Sequence, residues 1–111
     1  MNTKSQIRAR DIALHAIEGR ISLLEAVRIL TPILHANPQL VAKEDYNTII
    51  GIDSETDDLP IGRVRSEWDA GALAKKDIEI AECEMRWRDQ ILSVCRRILD
   101  RTGGGVGPAS E

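Results

Sequence analysis

The stretch "YNTIIGI" (Tyr46–Ile52) decides the fold class. An aliphatic run of this length suits either a buried strand or the last turns of a helix. Tyr46, Ile49 and Ile50 stand at i, i+3 and i+4, the spacing of one helix face. A lone strand would be unstable, and no second strand is legible elsewhere in the chain. The spacing therefore predicts a helix over about 42–52 and an all-α domain.

Upstream, Ile7, Ala13, Leu14 and Ile17 share a face over about Ser5 to Glu18, and Gly19 ends that helix. Ser22 and Glu25 form a capping-box pattern ahead of the stripe Leu23, Ala26, Val27, Leu30 and Leu34. Pro32 removes a backbone donor, so a kink or an early end near Thr31 is expected, with Asn37-Pro38 closing the segment. The short link at Gly19–Ile21 implies two helices lying side by side. Downstream, Leu73, Ile80, Trp87 and Val94 recur every seventh position between Asp69 and about Arg101. Ile78, Ala81, Met85, Leu92, Cys95 and Leu99 widen that stripe to roughly half the circumference. An arc so wide suits a central helix packed by two neighbours, or one that also forms a homodimer. The expected architecture is a helical hairpin and a short third helix packed on one long C-terminal helix, with an ordered polar loop before it. Residues 1–102 form the single domain, and the Gly-rich tail 103–111 is expected to be disordered.

Composition narrows the function classes. The 111 residues are 42% hydrophobic yet hold no Phe, one Tyr and two Trp, so the core must be aliphatic. The net charge of -3 gives no basic field to gather nucleic acid. The arginines at 86, 88, 96, 97 and 101 are interspersed with Glu82, Asp89 and Asp100, so no nucleic-acid partner is expected. No apolar run approaches the ~20 residues of a bilayer span, and the N-terminus shows no signal-type apolar core, so the expectation is no membrane and a cytoplasmic location. Cys83 and Cys95 fall on one predicted helix about 18 Å apart, too far to pair. His15 and His35 lie off the apolar stripes and read as surface residues without a nucleophile near them in sequence.

Chemistry concentrates in the loop "DSETDDLPIGRVRSEW" (Asp53–Trp68) and the helix after it. On a helical wheel, Asp77, Glu84 and Arg88 project into the apolar arc, with Glu84 and Arg88 an i,i+4 pair. A charge there is costly unless answered. The nearest free cations are Arg63 and Arg65, so the loop is expected to fold back as a clasp: Arg63 or Arg65 on Asp77 or Glu84, Leu59 and Trp68 plugging the apolar gap. Asp53, Glu55, Asp57 and Asp58 are left as an acidic patch, with Leu59 and Ile61 as candidate anchors for a protein partner of basic surface. The EF-hand pattern fails, because Asp58 stands at the sharp-turn position and Val64 at the twelfth. A looser Mg²⁺ or Ca²⁺ site would use Asp53, Asp57 and Glu84.

The run "IIGIDSETDDLPIGRVRSEW" followed by "ALAKKDIEI" resembles a family of small bacterial proteins that share I-G-I-D-S-E-T-D-x-L-P-x-G. That resemblance covers roughly the middle third of the chain, implies a bacterial source, and carries over no role for any residue. The first functional reading is a non-catalytic protein-binding domain without a cofactor, of which an immunity-type inhibitor is one form by analogy of size and charge. The alternative is a divalent-metal-dependent all-α nucleotide pyrophosphohydrolase of the MazG type, drawing on Asp77, Glu79, Glu82 and Glu84. A second acidic helix motif to match them is missing, since Glu44-Asp45 is a poor substitute.

Overall fold

In the computed structural model, which describes residues 3–103, the chain is all-α. Four α-helices follow in order: α1 (Lys4–Ile17), α2 (Leu23–Ala36), α3 (Lys43–Glu55) and α4 (Ala70–Gly103). A single 3-10 turn, Pro38–Leu40, joins α2 to α3, and a longer 3-10 segment, Gly62–Glu67, precedes α4. The "YNTIIGI" stretch lies wholly in α3. The disorder expected of the tail concerns residues outside the described ones, apart from Gly103, which ends α4.

Each helix start has a local cause. Thr3 caps α1 reciprocally with Gln6: Gln6 N–H donates to Thr3 Oγ1 at 3.1 Å, and Thr3 N–H donates to Gln6 Oε1 at 2.8 Å. Ser22 Oγ accepts from Glu25 N–H at 3.1 Å. No side chain caps α3 at Ala42, but Glu44 and Asp45 in its first turn oppose the positive end of the helix dipole. Asp69 Oδ2 accepts from Ala72 N–H at 3.1 Å and starts α4. Gly19 closes α1 at φ 76, a left-handed conformation that a β-carbon disfavours.

Of the kink or early end expected near Thr31, the early end does not occur. The helix continues to Ala36 with Pro32 on its exposed side, where the ring meets solvent rather than a packed neighbour. One residue earlier, Thr31 Oγ1 donates to the Val27 carbonyl at 2.8 Å, so its hydroxyl is satisfied within the buried face.

The core is aliphatic. Leu24, Val27, Leu30 and Leu34 of α2 meet Ile49 of α3 and Ile91, Val94 and Ile98 of α4, all at most 1% exposed. α1 contributes Ala9, Ala13 and Ala16, small residues that let it lie close against α4. Trp87 packs on this core while Trp68 stays half-buried, so the plug expected of Trp68 is not a core position.

The length mismatch between helices shapes the molecule. α4 has 34 residues and spans about 51 Å, and the molecule's long axis is 51 Å. α1 has 14 residues, about 21 Å, and runs from beside Arg101 to beside Met85 and Leu92. The N-terminal half of α4 therefore projects past α1. No residue from 70 to 90 is fully buried, whereas Ile91, Val94, Cys95 and Ile98 are.

One cross-helix ion pair was not legible in sequence. Arg97 donates through Nε and Nη2 to both oxygens of Asp45, each at 2.8 Å, and Asp45 is 6% exposed. This bidentate pair raises the Arg97 pKa and ties the start of α3 to α4. Removing Arg97 strands a buried carboxylate. Arg97→Ala is expected to lower stability by about 1–3 kcal/mol in a denaturant titration. A loss below ~0.5 kcal/mol would mean that solvent reaches Asp45 once the guanidinium is gone.

Candidate functional site

The acidic run does not form a free loop. α3 continues through Asp53 and Glu55, and the chain leaves the helix at Thr56. Carboxylates in a last helical turn face the negative end of the helix dipole, so they need a cation. Arg28 of α2 supplies it. Its Nε lies 2.9 Å from Asp53 Oδ1, a contact between two buried atoms of half-buried side chains that is not aligned as a hydrogen bond. Its Nη2 donates to the Thr56 carbonyl at 2.6 Å, the group that would otherwise be left open at the helix end. Thr56 is fully buried, and its hydroxyl donates back to the Ile52 carbonyl at 2.8 Å. Asp53 and Thr56 thus end α3 and anchor the turn, and Asp53 is withdrawn from both the partner patch and the metal set.

Leu59 and Ile61 are also withdrawn. They are 3% and 8% exposed and belong to the core, because Arg28 turns the chain inward after Thr56. Neither can anchor a partner as the sequence reading expected. Glu55, Asp57 and Asp58 remain exposed, with Lys76 Nζ at 4.0 Å from Asp58.

The clasp residues separate. Arg65 donates to both oxygens of Asp77, Nη1 to Oδ1 at 2.7 Å and Nη2 to Oδ2 at 3.1 Å, and Nη1 also reaches the Pro60 carbonyl at 3.3 Å. This fastens the 3-10 segment to α4. Asp77 is nonetheless 47% exposed, so it is a surface partner and not the buried charge that the helical wheel suggested. The reason is that α1 stops short of this part of α4. The hydrogen bond from Arg65 holds the Asp77 carboxylate below its ordinary value of 3.8. That pair stabilises the fold above pH 3.8 and is lost as acid protonates Asp77. Arg63 is exposed and plays no part in the clasp.

Glu84 does something the sequence reading missed. The expected i,i+4 pair with Arg88 is absent, and Glu84 Oε2 accepts the Leu24 N–H at 3.1 Å. Ser22 satisfies the Glu25 amide, so a side chain sixty positions away caps the neighbouring donor of α2. The only hint in the sequence is that a helix start leaves four free donors and the Ser22 hydroxyl satisfies one of them. Arg88 is left exposed with no ion pair among the described residues.

The carboxylates proposed for catalysis or a metal therefore point apart. Asp53 meets Arg28, Asp77 meets Arg65, Glu84 caps α2, Glu79 faces Lys76 at 3.4 Å, and Glu82 is exposed. Among the described residues, no three His, Cys, Asp or Glu side chains gather as a metal would require. No helix among them is long and apolar enough to cross a membrane.

Two surfaces stay open, on opposite flanks of the projecting half of α4. One is an acidic edge made of Glu55, Asp57 and Asp58 with Glu79 of α4. Asp58, Glu79 and Glu82 lie close enough to the half-buried Cys83 that their charge helps hold its thiol pKa up, behind the larger effect of burial. The other is an apolar groove of about 340 Å³ between α4 and the α1–α2 junction, walled by Ile17, Ile21, Ala81, Met85 and Leu92. Comparison with protein-family models, with curated proteins and with solved structures returns no match.

Two measurements follow from this assignment. If Glu84 is a cap, Glu84→Gln keeps an acceptor and most of the stability, while Glu84→Ala costs about 1 kcal/mol. Equal losses would contradict the cap. Burial raises the Cys95 thiol from 9.0 to about 11. The unfolded thiol ionises first, so folding stability falls as pH rises from 9.0 to about 11 and is unaffected by this group below that window. Cys95→Ala should flatten the alkaline limb of a stability–pH curve; an unchanged limb would locate the sensitivity elsewhere.

Proposed function

We propose that the protein is a non-catalytic binding domain that engages another protein of basic surface through the acidic edge. The observation that carries this reading is the division of labour among the carboxylates. Asp53, Asp77 and Glu84 are engaged by Arg28, Arg65 and the Leu24 amide. Glu55 and Asp57 project from the adjoining turn, exposed and without an ion pair among the described residues, and the exposed Asp58 has only a 4.0 Å contact to Lys76. A negative edge of this kind raises the encounter rate with a cationic partner and fixes its orientation. An immunity-type inhibitor, bacterial and cytoplasmic, is one form such a domain takes. The two free thiols suit a reducing compartment. The pyrophosphohydrolase alternative needs convergent carboxylates, and the contacts of Asp77 and Glu84 point the other way.

Charge reversal tests the edge without touching the scaffold. The double variant Asp57→Lys, Asp58→Lys is expected to melt within a few degrees of the parent and to lose at least tenfold in affinity for the partner, mainly through slower association that salt masks in the parent. Unchanged association in that variant, at low salt, would remove the acidic edge from the interface.

A further inference from the structure

We infer that the apolar flank of α4 is the dimerisation face for a second copy of this chain, packed antiparallel about a two-fold axis between Glu79 and Ile80. The flank carries Gly71, Ala74, Ile78, Ala81, Met85 and Arg88, spaced alternately by three and four residues. That is the seam of a two-helix packing. It is bare: Ile78 is 65% exposed and Met85 81% exposed, while Ala74 and Ala81 between them are also exposed. These positions lie to one side of the face buried at Ile91 and Ile98, and the end of α1 borders Met85 without covering it, so no helix of the same chain buries them.

The occupant follows from size and charge. In the antiparallel register, Ile78 lies opposite Ala81 of the second copy, Met85 opposite Ala74, and Arg88 opposite Gly71. Every layer sets a large side chain against a small one, which fills space without overlap. On the free edge of the seam, Lys75 meets Glu82 of the second copy, and the symmetry makes this pair twice. Lys75 has no ion-pair partner of its own among the described residues. On the other edge, Asp77 meets Glu84, but Arg65 and the Leu24 amide already hold these two. A parallel pairing fails on both counts. It stacks alanine on alanine, and it sets Asp77 against Glu82 and Glu84 against Asp89. Ile17 and Ile21 extend the apolar wall beyond Met85, so the first turn of the second copy's α4 comes to rest against the α1–α2 junction.

The test is sedimentation equilibrium of the full chain, with circular dichroism as the control for folding. The parent should be a dimer. Ile78→Glu should be a folded monomer, since the position is exposed within one chain. Lys75→Glu should weaken the dimer about tenfold, and adding Glu82→Lys should restore it. A monomeric parent across the measurable range, or a dimer indifferent to Ile78→Glu, would overturn the proposal. Orientation is read by cross-linking in a Cys83→Ser background. The pair Ala74→Cys, Met85→Cys should form an interchain disulfide. Met85→Cys alone should not, because the two copies of that position lie about 16 Å apart along the axis. Efficient cross-linking by Met85→Cys alone would mean a parallel pair and overturn the register.

Discussion

The position of Arg28 governs the rest of the structure. It sits on α2, among aliphatic neighbours, and a guanidinium there must be answered. The end of α3 answers it with the Asp53 carboxylate and the Thr56 carbonyl. Because the arginine satisfies both, α3 stops at a fixed residue and the chain turns inward, carrying Leu59 and Ile61 into the core. The 3-10 segment then runs along α4, where Arg65 closes on Asp77. Glu84, about two turns further along α4, returns to cap α2 four residues before Arg28. The three contacts form a ring through α2, α3, the loop and α4.

This ring explains why a polar stretch that looks functional is mostly scaffold. Ligand or metal carboxylates converge on one point; here each is drawn to a different donor. What remains outward divides by chemistry. The acidic edge by the α3 turn is charged and lacks a hydrophobic centre, which favours fast, salt-sensitive association. The opposite flank of α4 is apolar with alternating bulk, which favours a permanent contact with a defined register. The two surfaces are separated around the helix, so one can be occupied while the other stays free.

The fold was legible where periodicity was strong. The stripes of α2 and α4 specify helices with little ambiguity, whereas Tyr46–Ile52 suited a strand as well, and only the i, i+3, i+4 spacing and the lack of a strand partner favoured the helix that α3 forms. The return of the loop onto α4 was legible too, since Asp77 on a half-apolar face called for a cation, and Arg65 came to it. Three features were hidden for one reason: each depends on partners far apart in sequence. Arg28 looks like any helix-surface arginine until α3 is laid beside it. Asp45 reads as a first-turn acid, and nothing local announces Arg97. Glu84 seemed committed to Arg88 at i,i+4, yet it accepts from the Leu24 amide of α2 instead. The helical wheel also misplaced Asp77, because a wheel assumes a helix packed along its whole length, and α1 is too short to cover the first half of α4.

The coupling between Arg28 and Asp53 tests the central claim most directly. A double-mutant cycle of Arg28→Ala and Asp53→Ala, read by denaturant unfolding, should give an interaction energy of about 1 kcal/mol or more, since the two share one part-buried contact. Strict additivity, within about 0.3 kcal/mol, would mean that the acidic stretch is not fastened by Arg28 and that the turn after α3 has another cause.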